Sequence, residues 1–147
     1  MRFLSRVLPS FLVAWLISFT LASLFHSQYV VNQLVNVDID VTILQRLNLM
    51  WDDWVGLLPT YGSIIAIAFI IAFSIATWLL NKLPQFRYLI FILAGIIAFL
   101  TVLLSLNSVM NMHLIAGSRG WGFYTQLLAG ALGGYSYIKL SNKLRQN

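Results

Sequence analysis

Four long stretches without a single charged residue dominate this sequence. They cover residues 7–25, 57–80, 88–106 and 121–138. The hydrocarbon core of a bilayer is about 30 Å thick, and a helix needs roughly 20 mostly apolar residues to cross it. Backbone polar groups find no partners in lipid, so such stretches must be helical. The sequence therefore predicts four membrane-spanning helices.

The overall composition excludes an ordinary soluble domain. Hydrophobic residues make up 60% of the chain and charged residues 9%, whereas soluble domains carry about 45–50% and about 25%. There is no cysteine, which excludes disulfides and thiolate-based metal or catalytic sites. Although the net charge is +5, the chain has neither a folded basic surface nor a long basic arm. We therefore expect no nucleic-acid partner.

The charged residues divide between the two sides of a four-span topology. One side holds Arg2, Arg6, Lys82, Arg87, Lys139, Lys143 and Arg145; the other holds Arg46, Arg119, Asp38, Asp40, Asp52 and Asp53. The positive-inside rule then places both termini in the cytoplasm. We predict an all-α membrane protein, a four-transmembrane-helix antiparallel bundle over residues 1–147. It would be a single polytopic domain in a bacterial-type inner membrane, with its first span an uncleaved anchor.

The first outer loop, residues 26–56, contains two different hydrophobic patterns. Residues 35–43 alternate between β-branched and polar side chains, which is typical of a half-buried strand. From residue 43 to 58 the spacing becomes helical and includes Trp51 and Trp54, which predicts an amphipathic helix at the membrane interface. The loop would form a lid over the bundle, a surface for a partner, or a substrate site.

Small residues concentrate in the fourth stretch. Gly130 and Gly134 form a G-x-x-x-G pair, Ala129 and Gly133 form a parallel pair, and Gln126 lies one turn earlier. Small side chains allow two helix backbones to approach closely, and an amide can bond across that contact. These residues predict a helix-packing face, directed either to another helix of the chain or to a second subunit.

Polar residues gather near the outer ends of the predicted spans. This outer polar cluster consists of Asp52, Asp53, Asn107, Asn111, His113 and Arg119. We expect Arg119 to pair with Asp52 or Asp53, and an anion or headgroup site is the functional alternative. A separate strip of Thr101, Ser105 and Ser108 at helical spacing would line the pore of an oligomeric channel.

No pattern in the sequence indicates catalysis, a cofactor or a metal. His26 and His113 could ligate a haem only if they faced each other, and Asp38 with Asp40 lacks further oxygen ligands for Ca²⁺. The spans contain no ionisable residue of the kind that marks proton-coupled transport. A small multidrug antiporter is similar in size but relies on a membrane-embedded glutamate, and this chain has no glutamate.

These observations favour a non-enzymatic role. The leading prediction is a structural or accessory subunit that works through helix packing and its outer loop. The alternatives are a lipid- or small-molecule-binding protein with an outward-facing polar pocket, and more weakly an oligomeric channel. The expected partners are the lipid bilayer and either further copies of the chain or a larger membrane complex.

Overall fold

Nearly all of the described part of the chain is helical, and none of it is strand. The computed structural model describes residues 4–36, 40–110 and 120–146, and only the backbone of residues 4–6, 107–110, 145 and 146. Its helices are α1 (Leu4–Val35), α2 (Ile43–Leu57), α3 (Ser63–Leu80), α4 (Arg87–Met110) and α5 (Trp121–Gln146). A π-helical turn, Leu58–Gly62, joins α2 to α3, and a 3₁₀ turn, Pro84–Phe86, precedes α4.

Three helical segments are long and apolar enough to cross a membrane. They are Val7–Val35, Ile43–Leu80, which includes α2 and α3, and Pro84–Leu106. Helix α5 has sufficient length, with 26 residues, but its glycines and polar side chains lower its mean hydropathy. The described residues therefore support a helical bundle with three candidate spans, rather than the full set of four predicted above.

Helix α5 lies at the centre of the bundle. It runs antiparallel to α1, because the Tyr29 ring contacts Trp121 while Ser18 bonds to Ala129 farther along. It also runs antiparallel to α4, where Arg87 bonds to Asn142. Tyr137 of α5 also joins a buried cluster with four aromatic residues of α3 and α4: Phe69, Phe73, Phe91 and Phe99.

This arrangement separates the charges of the described residues into two ends. The basic end contains Lys82, Arg87, Lys139 and Lys143, and the acidic end contains Asp40, Asp52 and Asp53 together with Arg46. Gly120, at the acidic end, has φ 64°, a backbone conformation that glycine adopts without a Cβ clash. It lets the chain turn sharply into α5.

The segment predicted as a strand is helical at both of its ends. Helix α1 continues ten residues past the predicted end of the first span, so Val35 is helical, and Ile43 begins α2. Thr42 and Gln45 form a capping box that fixes this start: the Gln45 backbone N–H donates to Thr42, and the Thr42 backbone N–H donates to Gln45. An isolated strand would have left its backbone unpaired. Residues 37–39 lie outside the described residues.

The predicted amphipathic helix forms as α2, but it continues directly into α3. Pro59 lies in the π turn between them and has no N–H, so the regular hydrogen-bond pattern widens there without breaking the helix. Two indoles join this long helix to α1: Trp15 Nε1 donates to the Gly62 carbonyl at 2.8 Å, and Trp54 Nε1 donates to Thr20 at 3.2 Å. Helix α2 is therefore one arm of a helical hairpin with α1.

Candidate functional sites: a buried polar network and an exposed helical flank

The small residues of α5 lie against both neighbouring helices. Gly130 and Gly134 face α4, where a Cβ on either glycine would overlap the backbone of Gly95 or Phe91. A Cβ on Gly95 would likewise overlap the Gly130 carbonyl. The α4 and α5 backbones are thus in direct contact at these three glycines, which maximises van der Waals contact between them.

The second small-residue pair of α5 faces α1. Ala129 is fully buried, and its carbonyl accepts a hydrogen bond from Ser18 Oγ at 3.0 Å. A Cβ on Gly133 would overlap Ser18 Oγ and press on the Phe69 ring of α3. Both small-residue pairs are therefore occupied by helices of the same chain, and neither remains open on the surface.

Gln126 bonds to two other helices from a fully buried position on α5. Its Nε2 donates to the Ala22 carbonyl of α1 at 2.9 Å, and its Oε1 accepts from the Tyr61 hydroxyl, beside α3, at 3.0 Å. We call these three groups the Gln126 network. These bonds satisfy the amide oxygen and one amide N–H of Gln126. The network therefore sets the register of three helices. It contains no free nucleophile or base.

A repeat along α1, which the sequence reading above overlooked, forms the opposing surface. Ser10, Ala14, Ser18, Ala22 and His26 recur every fourth residue, and all five are buried. Four of the five are small, and Ser18 bonds to a facing backbone carbonyl, so this face has the same property as the small-residue face of α5. A search for four-residue spacing of small residues in the first span would have found this packing face.

Two buried polar atoms close to the Gln126 network lack a hydrogen-bond partner among the described residues. They are Ser23 Oγ and His26 Nδ1. One turn along α1, Ser27 Oγ donates to Asp53 Oδ2 of α2 at 2.7 Å. Buried polar atoms are usually satisfied, so these two atoms are exceptions within the described packing.

The predicted outer polar cluster lies only partly within the described residues. Asp52 is exposed on α2, Asp53 is half-buried and bonds to Ser27, and Asn107 lies in the last turns of α4 without a described side chain. Asn111, His113 and Arg119 lie outside the described residues. The expected pairing of Arg119 with Asp52 or Asp53, and an outward pocket at this cluster, therefore stay predictions.

The hydroxyl strip of α4 points away from the bundle. Thr101 is exposed and donates to the Ile97 carbonyl of its own helix at 2.8 Å, and Ser105 is exposed as well. The side chain of Ser108 is not among those described. Within residues 4–36, 40–110 and 120–146, no group of three or more histidines or acids is placed to hold a metal ion.

Among the described residues, one flank of α2 forms an unpaired apolar surface at the acidic end. No residue of α2 is buried. Its large apolar side chains nevertheless recur on one side of the helix, where Leu47 is 57% exposed and Trp51 is 67% exposed. We call this surface the apolar flank, defined by Ile43, Leu44, Leu47, Trp51 and Val55.

Comparison with known proteins adds no relative. No protein-family profile, curated protein or solved structure matches this chain. The function must therefore be argued from the chain's own contacts, charges and surfaces.

Proposed function

We propose that this chain is a small polytopic protein of a bacterial-type inner membrane that serves as an accessory subunit. Four helices would cross the membrane, with both termini cytoplasmic. The α1–α2 hairpin would project from the outer side and bind a partner membrane protein through the apolar flank. The observation that carries the proposal is this flank, a row of large apolar side chains on a helix that buries none of them.

The neighbours of α5 support the proposal that it makes a fourth crossing. Helix α5 contacts α1 and α4 from Trp121 to Asn142, and both neighbours include candidate spans. Its 26 residues give a length of about 39 Å at ~1.5 Å per residue, against about 30 Å for the hydrocarbon core. Its low hydropathy has a structural cause, because its glycines and Gln126 face other helices instead of lipid.

The orientation follows from the charges at the two ends. In a four-span arrangement, the basic end with Lys82, Arg87, Lys139 and Lys143 meets the cytoplasmic leaflet, as the positive-inside rule requires. The acidic end then faces outward. This places the apolar flank on the outer side of the membrane.

The length of the hairpin puts much of the flank beyond the lipid tails. The continuous helix Ile43–Leu80 has 38 residues, or about 57 Å at ~1.5 Å per residue, which exceeds the bilayer core by about 27 Å. The α1 arm, which packs beside α2, is also longer than a span at 32 residues. Lipid tails therefore cannot cover the first turns of α2, and large exposed apolar patches outside lipid are typical of protein interfaces.

Charge indicates which kind of partner would fit. Residues 26–56 contain four acids, Asp38, Asp40, Asp52 and Asp53, and one base, Arg46. A second copy of the chain would bring like charges together, which opposes association. The favoured occupant is a different membrane protein whose outer segment offers an apolar groove with a basic rim.

The test compares complexes from mildly solubilised membranes of cells that produce the protein naturally. We expect the wild type to migrate on a native gel in a heteromeric assembly larger than the monomer. Leu47→Asp should remove it from that assembly, because burying the new carboxylate would be costly. Asn48 follows Leu47 in the chain and is also exposed. The control variant Asn48→Ala should therefore leave the assembly intact.

Three results would contradict the proposal. They are a lone wild-type monomer, an assembly that contains only this chain, and an assembly that keeps the Leu47→Asp variant. Equal amounts of each variant in the membrane, and equal thermal unfolding temperatures after purification, ensure that a lost assembly reflects lost contact and not misfolding.

A further inference from the structure

An open apolar cleft lies between α1 and α3 in the half of the bundle nearer the basic end. Its volume is about 550 Å³, within the range of about 300–1,000 Å³ that is typical of ligand sites. Tyr137 of α5 lies against it between the two helices. The walls include Val7, Leu8 and Phe11 of α1 and Ile70 and Phe73 of α3.

Two of the three hydroxyl groups along this cleft, those of Ser74 and Thr77, are already paired, and Tyr137 supplies the third. Ser74 donates to the Ile70 carbonyl at 2.6 Å, and Thr77 donates to the Phe73 carbonyl at 2.7 Å, both within α3. The cleft therefore presents mainly carbon to an occupant and suits a hydrocarbon chain. A polar ligand would find few free partners along these walls.

A second, polar cavity adjoins the first at Thr77, which lines both. Its volume is about 340 Å³, and Leu80, Asn81, Pro84 and Arg87 complete its lining. Arg87 is half-buried and donates from Nη1 to Asn142 Oδ1 at 2.9 Å. No acidic side chain among the described residues pairs with it, since the described acids lie at the opposite end.

We propose that the two cavities together form a binding site for an anionic lipid, with an acyl chain in the α1–α3 cleft and the phosphate at Arg87. A guanidinium has five N–H donors, and only Nη1 is used by Asn142. The remaining donors can bind phosphate oxygens in charge-assisted hydrogen bonds. This site is at the other end of the molecule from the apolar flank and does not depend on the docking proposed there.

The experiment is a lipid titration of the detergent-purified protein followed by native mass spectrometry. The probes are phosphatidylglycerol and phosphatidylcholine with identical acyl chains. We expect the anionic lipid to bind more tightly. Arg87→Gln should weaken its binding by about tenfold or more, the effect of one lost charge-assisted hydrogen bond.

Matched variants separate the parts of the site. Lys139→Gln removes the same charge from the basic end at a residue that lines neither cavity, and it should bind as the wild type does. Asn142→Ala removes the partner of Arg87 but keeps the cation, so it should also retain binding. Ser74→Phe, at an exposed position of α3, should fill the cleft and lower the affinity for both lipids.

Several outcomes would overturn the proposal. One is equal affinity of the wild type for the two lipids. Another is an equal loss of lipid binding in Arg87→Gln and Lys139→Gln. That result would indicate that the anionic lipid is attracted to the positive charge of the basic end in general, and not to Arg87. Displacement of the lipid by inorganic phosphate at a similar concentration would also contradict it, because the polar cavity would then be a site for a free anion.

Discussion

At the scale of single residues, Gln126 is the side chain on which the packing of α5 depends most. It is fully buried and bonds to the Ala22 carbonyl and to the Tyr61 hydroxyl, so one side chain joins α5 to α1 and to the start of α3. The sequence predicted that Gln126 would bond across the contact formed by Gly130 and Gly134, which face α4. It bonds to α1 and to Tyr61 instead. The identity of both partners depends on which helices surround α5, and spacing along the chain does not contain that information.

A double-mutant cycle measures the contribution of this network. Gln126→Leu should lower the free energy of unfolding by about 1–3 kcal/mol, because it leaves the buried Tyr61 hydroxyl without an acceptor. Combined with Tyr61→Phe, the coupling energy should be about 0.6–1.7 kcal/mol, the range for bonds between membrane helices. Denaturant unfolding in mixed micelles provides the measurement.

Tyr124→Phe is the matched control for this cycle, since Tyr124 lies on the same helix and is 72% exposed. It should change the free energy of unfolding little and show no coupling to Gln126→Leu. A coupling energy of zero between Gln126 and Tyr61 would mean that their bond does not contribute to stability.

At the scale of helices, the glycines of α4 and α5 determine how closely the two backbones pack. Gly95, Gly130 and Gly134 leave no room for a methyl group, whereas Gly56 on α2 has no neighbouring atom within 4 Å of an added Cβ. Glycine thus has two roles in this chain. In α4 and α5 it permits close approach, and in α2 it only weakens an exposed helix.

Alanine substitution should separate these two roles. Gly134→Ala should destabilise the protein by about 1–3 kcal/mol through overpacking against Phe91. Gly56→Ala should stabilise it by about 0.5–1 kcal/mol, because alanine is the better helix former. Thermal unfolding of both variants in one detergent tests the pair, and a stabilising Gly134→Ala would contradict the close contact.

The helices also show where sequence patterns were sufficient and where they were not. Charge-free runs located the apolar part of α1, α3 and α4 because a hydrocarbon solvent demands such runs. The alternation over residues 35–43 was misleading, because Val35 and Ile43 belong to helices and the capping box at Thr42 starts α2. Alternating β-branched residues favour a strand only where a second strand can pair with them.

At the scale of the whole molecule, the two ends of the bundle carry different surfaces. The acidic end presents the apolar flank of α2, and the basic end contains the paired cavities that meet at Thr77. The sequence predicted α2 as an amphipathic helix, but it gave no signal for the cavities or for how much of the apolar side of α2 stays exposed. The apolar cleft lies between α1 and α3 beside Tyr137, and the polar cavity lies at the turn from α3 to α4. The flank is exposed because α2 packs on α1 through its other side.

The central claim is that α5 crosses the membrane, which places the basic end inside and the apolar flank outside. The chain has no cysteine, so single-cysteine variants can be labelled with a membrane-impermeant maleimide in right-side-out vesicles. Asn48→Cys, Asn81→Cys and Ser141→Cys keep every charge. We predict that Asn48→Cys is labelled at once and the other two only after permeabilisation. Labelling of Ser141→Cys in sealed vesicles while Asn81→Cys stays protected would contradict the claim.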